Sequence, residues 1–378
     1  MRVVDNKKNI IHSIDNVYFK DGHLKVDGWA FGEDYPIISM TVQFEEKFKT
    51  EHSFVINYLN SSDVVSHFGE KATKSRFSIG IKIENLKDLV IVTQAKIVFC
   101  FYDNSIESIR IFSDKVSQFI GQKNFSVGVS VTTYNRSKLL IENLNKIKEN
   151  SFFDIDLIIS DDGSVDETKD LLKDLGGIYW ASSENKGVAW NKNRALFFSN
   201  EILSNSLTLL MEDDVFPTKF GWDIDWVLSS ALYGHINFDP PWFGPASEGM
   251  GQWNQPYKSG YLSGQCSGFT KEALAYVGYL DSRFGRYGHE HVEHTMRMIR
   301  AGYGGEIIKE NSPECVFYSI SGNIEVSPSE SSFQQEDVDR NGEVLSQIWN
   351  ESIYRAPWRN DDEMRIFRKE IQGFVKNQ

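Results

Sequence analysis

Residues 127–163 read VGVSVTTYNRSKLLIENLNKIKENSFFDIDLIISDDG. Val127, Val129 and Val131 alternate as on a strand, which breaks off into Thr132-Thr133-Tyr134-Asn135-Arg136. Ser137 then opens a helix with Leu140, Leu144 and Ile147 on one face. Ile155 to Ser160 is the next strand, ending at Asp161-Asp162-Gly163, and Ser164 with Glu167 has the spacing of a capping box for a second helix that Gly176-Gly177 closes. Further on, Ile178 to Ala181 reads as a third strand, Gly187 to Leu203 as a helix and Leu207 to Met211 as a fourth strand, followed by Glu212-Asp213-Asp214. Alternation of this kind predicts an α/β domain with a mostly parallel sheet, whose ligands sit outside the carboxyl ends of the strands. Three polar clusters fall at that edge.

Composition narrows the chemistry. The chain has 378 residues, 53 acidic against 40 basic, for a net charge of −13. An acidic chain does not supply the basic surface that nucleic acid requires, so no nucleic-acid partner is expected. Cys100, Cys266 and Cys315 are three and widely spaced, which is neither a disulfide framework nor a zinc ribbon. The opening residues hold no apolar run of signal-peptide length and no 18-residue apolar stretch occurs anywhere, so a cytoplasmic protein is expected.

The ordered set VSVTTYNR, SDDGS, ENKGVAWNKNRAL, LLMEDDV and GRYGHEHVEHTMRMIRAGY resembles glycosyltransferase family 2 and its relatives with the GT-A fold, over roughly residues 125 to 305. The resemblance implies a Rossmann-like GT-A domain and transfer of a hexose or N-acetylhexosamine from a nucleotide sugar, UDP-linked, to a glycan hydroxyl. It further implies inversion at the anomeric carbon and a place in bacterial surface polysaccharide or glycoconjugate synthesis. Asp214 would be the ligand of a Mn²⁺ or Mg²⁺ ion, with Asp213 facing the ribose or sharing the metal. Thr132, Tyr134, Arg136, Asp162 and Lys192 would line the nucleotide site. For Asp161 and Asn193, turn or helix capping is the simpler reading. Glu290 in Gly288-His289-Glu290-His291-Val292-Glu293 would be the general base, with Glu293 and Arg297 as a supporting ion pair.

Departures and alternatives frame this reading. Metal-dependent relatives add a histidine ligand after the base region, yet no histidine follows His294, and Phe317-Tyr318-Ser319 stands in its place. Either water and phosphate complete the shell or the metal is held weakly. A zinc hydrolase would need His-Glu-x-x-His, but Glu293 occupies the last position. A retaining transferase shares many of the motifs. A nucleotidyltransferase would show a glycine-rich phosphate loop, which VTTYNRSK lacks. The non-enzyme alternative is a carbohydrate-binding or assembly protein with a degenerate transferase domain; retention of Asp162, Asp214 and Glu290 together argues against it.

Outside the motifs, expectations rest on pattern alone. Trp242, Trp253, Tyr257 and Tyr261 in a Gly- and Ser-rich stretch suit an acceptor-side wall, since rings stack on sugar faces. Residues 1–113 read as a small all-β sandwich, with strands at Leu24 to Phe31, Ile37 to Phe44, Phe77 to Ile83, Leu89 to Tyr102 and Ile106 to Phe112. This part would bind acceptor glycan, mediate homo-oligomerisation or orient the enzyme. Residues 114–124 read as a linker, 125–330 as the GT-A domain and 331–378 as a helical extension. The last helix offers Ile366, Phe367, Ile371, Phe374 and Val375 on one face, with five basic and four acidic side chains over 359–378. So small an excess of positive charge favours docking on the catalytic domain, with at most peripheral contact with the inner face of the membrane.

Overall fold

The stretch 127–163 forms two central strands of one sheet. In the computed structural model, which describes residues 10–44, 54–243, 248–286, 288–309, 314–328 and 334–377, the chain divides into two units, Met1–Lys123 and Asn124–Gln378. The opening residues 1–9 and part of the Ser-rich stretch after Asn323, at 329–333, lie outside the described residues.

In the second unit, strand Val127–Thr133 lies between Ile155–Asp161 and Leu207–Glu212, parallel to both, and Tyr179–Ser182 continues the parallel set. Every residue of Val127–Thr133 is buried, as a strand covered on both faces requires. Register sets the edge: Thr133 pairs with Asp161, Thr132 with Glu212 and Asp161 with Ser182. The three polar clusters therefore leave the sheet side by side. Beyond Leu207–Glu212 the sheet turns antiparallel through Cys266–Thr270, which also pairs with His235–Phe238.

Helix Ser137–Asn150 buries Leu140, Leu144 and Ile147 as its spacing predicts. The capping box does not form. Ser164 is instead held by Asp161, whose Oδ1 accepts its backbone N–H at 3.1 Å and its hydroxyl at 2.5 Å, and the helix starts at Thr168. The helix after the third strand runs Val188–Phe197 and ends in a wide turn, Phe198–Ile202.

The C-terminal segment is part of this unit. Helix Asp361–Ile371 buries Phe367 and Ile371 against Ile158, Trp190 and Phe198, and Val375–Lys376 adds an antiparallel edge strand to Tyr179–Ser182. Ile366 and Val375, expected on the buried face, are 46% and 48% exposed. Phe374 stacks on Phe198, their ring centres 4.2 Å apart. No helix among the described residues is long and apolar enough to cross a membrane.

The first unit is β-rich but not all-β. It holds a four-stranded antiparallel sheet and a three-stranded one, Ile37–Gln43, Lys96–Phe101 and Ile106–Arg110. Strands Ile10–Lys20 and Phe54–Leu59 of the larger sheet were not anticipated. Leu86–Thr93, which overlaps the start of the strand expected from Leu89, is a helix because the Asn85 side chain caps it, accepting from the Asp88 N–H at 3.2 Å. Ser62–Phe68 is helical as well. The expected linker is also a helix over Asp114–Ile120, burying Val116, Phe119 and Ile120 at helical spacing.

Candidate active site

The carboxyl edge of the parallel strands opens into a cavity of about 1640 Å³. Thr132, Tyr134, Arg136, Asp162, Asp213, Asp214 and Glu290 all line it, although they come from widely separated parts of the sequence.

Asp213 is fixed from three directions. The Thr133 hydroxyl donates to its Oδ2 at 2.7 Å, Arg136 Nη1 to its Oδ1 at 2.9 Å, and Asn143 Nδ2 to its backbone carbonyl at 2.9 Å. The same Arg136 nitrogen lies 3.3 Å from Asp214 Oδ2, so one guanidinium bridges both acids. Burial pushes the Asp213 carboxyl up to about 6, against the pull of Arg136. Arg136 thus faces the acids as well as the cavity.

Asp162 also titrates high, at about 6, because burial outweighs its hydrogen bonds. Its two oxygens accept the backbone N–H groups of Lys186 and Gly187 at 2.9 and 3.0 Å. Gly187 has φ +91° and approaches the Gly285 carbonyl so closely that a Cβ would sit 2.5 Å from its oxygen; the turn over Asp162 requires glycine there. Asp161 is the last residue of its strand, and its carboxylate accepts from the Ser164 and Ser182 hydroxyls. Asn193 ties the Leu280 backbone through both N–H and C=O, at 2.9 and 2.8 Å.

Glu290 opens helix Glu290–Arg300, preceded by His289 in the left-handed region at φ 68°. Its Oε1 lies 3.3 Å from His291 Nδ1 and 3.4 Å from Lys192 Nζ, while its buried Oε2 has no hydrogen-bond partner among the described residues. Burial raises its pKa, but His291 and Lys192 together hold it far below the usual carboxylate range. Glu293 and Arg297 form a fully buried pair at 2.7 Å, and Arg297 also donates to the carbonyls of Val277 and Tyr279.

Lys192 is placed differently from the expectation. It does not reach the cavity surface: its side chain is 2% exposed and its Nζ donates to Glu212 Oε1 at 2.9 Å, Gly264 O at 3.1 Å and Glu290 Oε1. It joins two carboxylates that the sequence separates by 78 residues, counting from 212 to 290. Of the expected acceptor rings, Trp242 is 60% exposed and lines the cavity. Trp253 is buried, and Tyr257 lies in a strand opposite Ser319; neither lines it. Sequence reasoning passed over Phe243, Arg286 and Asp337, which do. It gave His291 no role.

Among the described residues no group of three or more His, Cys, Asp or Glu side chains is placed to hold a metal. The neighbouring carboxylates of Asp213 and Asp214, bridged by a cation in Arg136, nonetheless fit a hard divalent ion whose remaining positions come from water and phosphate.

A sheet with acids at its carboxyl edge and a buried carboxylate across one cavity has the form of an α/β group-transfer site. Residues 129–219, the stretch holding the first four strands and the Asp213-Asp214 pair, match the family model of glycosyl transferase family 2. No curated protein matches the chain. Solved structures overlap it in part. The mannosyltransferase PcManGT from Pyrobaculum calidifontis, in complex with GDP-Man and Mn²⁺, is 15% identical over 55% of this chain and 60% of its own, with a TM-score of 0.38. S. aureus TarS 1–349 in complex with UDP-GlcNAc is 15% identical over 42% and 49%, with a TM-score of 0.31. GalNAc-T7 with UDP, GalNAc and Mn²⁺ is 10% identical over 67% and 55%, with a TM-score of 0.43. The chain thus covers from 49% to 60% of the length of these chains.

Proposed function

We propose that the chain is a metal-dependent glycosyltransferase that moves a hexose or N-acetylhexosamine from a UDP-sugar to a glycan hydroxyl with inversion, in polysaccharide or glycoconjugate synthesis. The observation that carries this reading is a single cavity in which a buried, ionised Glu290, whose Oε2 has no hydrogen-bond partner among the described residues, shares the wall with Asp213 and Asp214. Thr132, Tyr134 and Asp162 would hold the nucleotide, and Asp214 with Asp213 would hold Mn²⁺ or Mg²⁺. A cation bound there supplies Lewis-acid neutralisation of the departing diphosphate. Arg136 would release the acid pair and turn its charge to the donor. Glu290 Oε2 would take the proton of the acceptor hydroxyl.

The test is to incubate the full chain with Mn²⁺ and a panel of UDP- and GDP-sugars, following binding and nucleotide release. Slow, metal-dependent hydrolysis of one donor is expected. Pyrophosphate-dependent UTP formation would make it a nucleotidyltransferase, and no metal-dependent binding of any donor would end the transferase reading.

A further inference from the structure

Beyond the family match, helix Gln335–Ile348 contributes to the same cavity. Asn341 Nδ2 donates to the Gly288 carbonyl at 3.0 Å, and a Cβ on Gly288, at φ +101°, would come within 3.3 Å of Val338. The helix therefore lies on the loop that leads into Glu290. One turn before Asn341 stands Asp337, 5% exposed and in the cavity wall. Its Oδ1 receives Arg340 Nη2 at 2.7 Å; its buried Oδ2 has no hydrogen-bond partner among the described residues. A carboxylate oxygen withdrawn from water without a donor is costly, and a site that keeps one is built for a donor that arrives with a ligand.

The ligand's chemistry follows from the charge. A nucleotide diphosphate is repelled by a buried carboxylate, whereas sugar hydroxyls donate to one, and the exposed Trp242 ring with Phe243 in the same cavity offers an apolar face to a pyranose. Arg286 also lines the cavity but is exposed, so solvent weakens its field more than that of Asp337. We propose that Asp337 is the acceptor-specificity residue: its Oδ2 accepts hydrogen bonds from hydroxyls of a neutral glycan ring, selecting against acceptors that carry a carboxylate or phosphate on that ring. The proposal rests on the transferase reading.

The test uses the full chain with Mn²⁺ and whichever UDP-sugar it hydrolyses. Methyl glucoside, galactoside and mannoside are compared as acceptors with methyl glucuronide. In the unaltered protein at least one neutral glycoside should bind, and the glucuronide should bind at least about tenfold more weakly. Asp337→Asn should raise the KM of the preferred neutral glycoside about tenfold and narrow the discrimination against glucuronide, with kcat and donor hydrolysis within about twofold. Three results overturn the proposal: equal binding of glucuronide, an unmoved acceptor KM in Asp337→Asn, or a parallel loss of donor hydrolysis, which would make Asp337 a support for the Glu290 loop. Failure of every neutral glycoside to bind, in a protein that hydrolyses donor, does so too. A protein that hydrolyses no donor breaks the transferase reading instead.

Discussion

One wall of the cavity is made of strand ends and the other of loops and helix starts. Thr132, Asp162, Asp213 and Asp214 stand at the ends of three adjacent parallel strands whose register is fixed by the sheet. Glu290 and Asp337 instead begin helices, and one of those helices is pinned to the other's leading loop by Asn341 and Gly288. Backbone pairing fixes the first wall; side-chain contacts across long sequence separations fix the second. The first wall should therefore tolerate substitution without moving, and the second only where the new side chain keeps the shape of the old.

Asp214→Asn tests the first wall and carries the largest expected effect. Metal-dependent turnover should fall below detection while thermal unfolding stays within a few degrees of the parent, because an amide fits the space without neutralising a cation. Near-normal turnover across a Mn²⁺ titration would take Asp214 out of the metal site.

For the second wall, Glu290→Gln should lower kcat by roughly 10²-fold or more with donor affinity retained. Equal loss of donor binding would show that the loop itself had shifted and would move the base assignment to Glu293.

Acid sharpens the contrast by stability. His235 in the antiparallel half is fully buried between Gly268 O and Thr295 Oγ1, and burial pushes its pKa down to about 4. The unfolded chain then binds the extra proton between pH 6.5 and 4, so stability is intact above 6.5 and is lost as pH falls through that window, by about 3 kcal/mol from this group. Asp162 and Asp213, raised to about 6, have the opposite sign: they favour the folded state as pH falls. Urea midpoints at pH 7.5, 5.5 and 4.5 should fall less, or rise more, towards acid in His235→Asn than in the parent; an unchanged pH dependence in the variant would acquit His235.

The smallest effect is expected from removing residues 1–123. A chain beginning at Asn124 should fold and hydrolyse donor as the full chain does, whereas one beginning at Lys115 keeps Val116, Phe119 and Ile120 without the partners that bury them and should aggregate more readily. Insolubility of the Asn124 form would show that the two units share a core.

This contrast also explains what could be read from the sequence. The strands and the acids at their ends were legible because alternation marks the strand and its last residue marks the edge. Helix Leu86–Thr93 was not, because a run rich in Leu, Val and Ile fits either period, and only the Asn85 cap decides. The position of Lys192 was legible as a charge but not as a direction: only the fold brings Glu212 and Glu290 to it. Trp253 and Tyr257 sit in a stretch with no periodicity, so nothing marked them as lying away from the cavity. Asp337 lay in a segment that read as a tail.

Lys192 also bears on the timing of the proposed reaction. A carboxylate beside a buried ammonium is a feeble base, and Glu290 is held well below the ordinary range. Such a group does not strip a proton from a resting alcohol. It accepts one only after bonding to the anomeric carbon has made the acceptor oxygen acidic. On the proposed mechanism the sugar–phosphate bond is therefore well on its way to breaking before the proton moves, and with the acceptor site unoccupied Glu290 is a weak base towards water, which keeps donor hydrolysis slow.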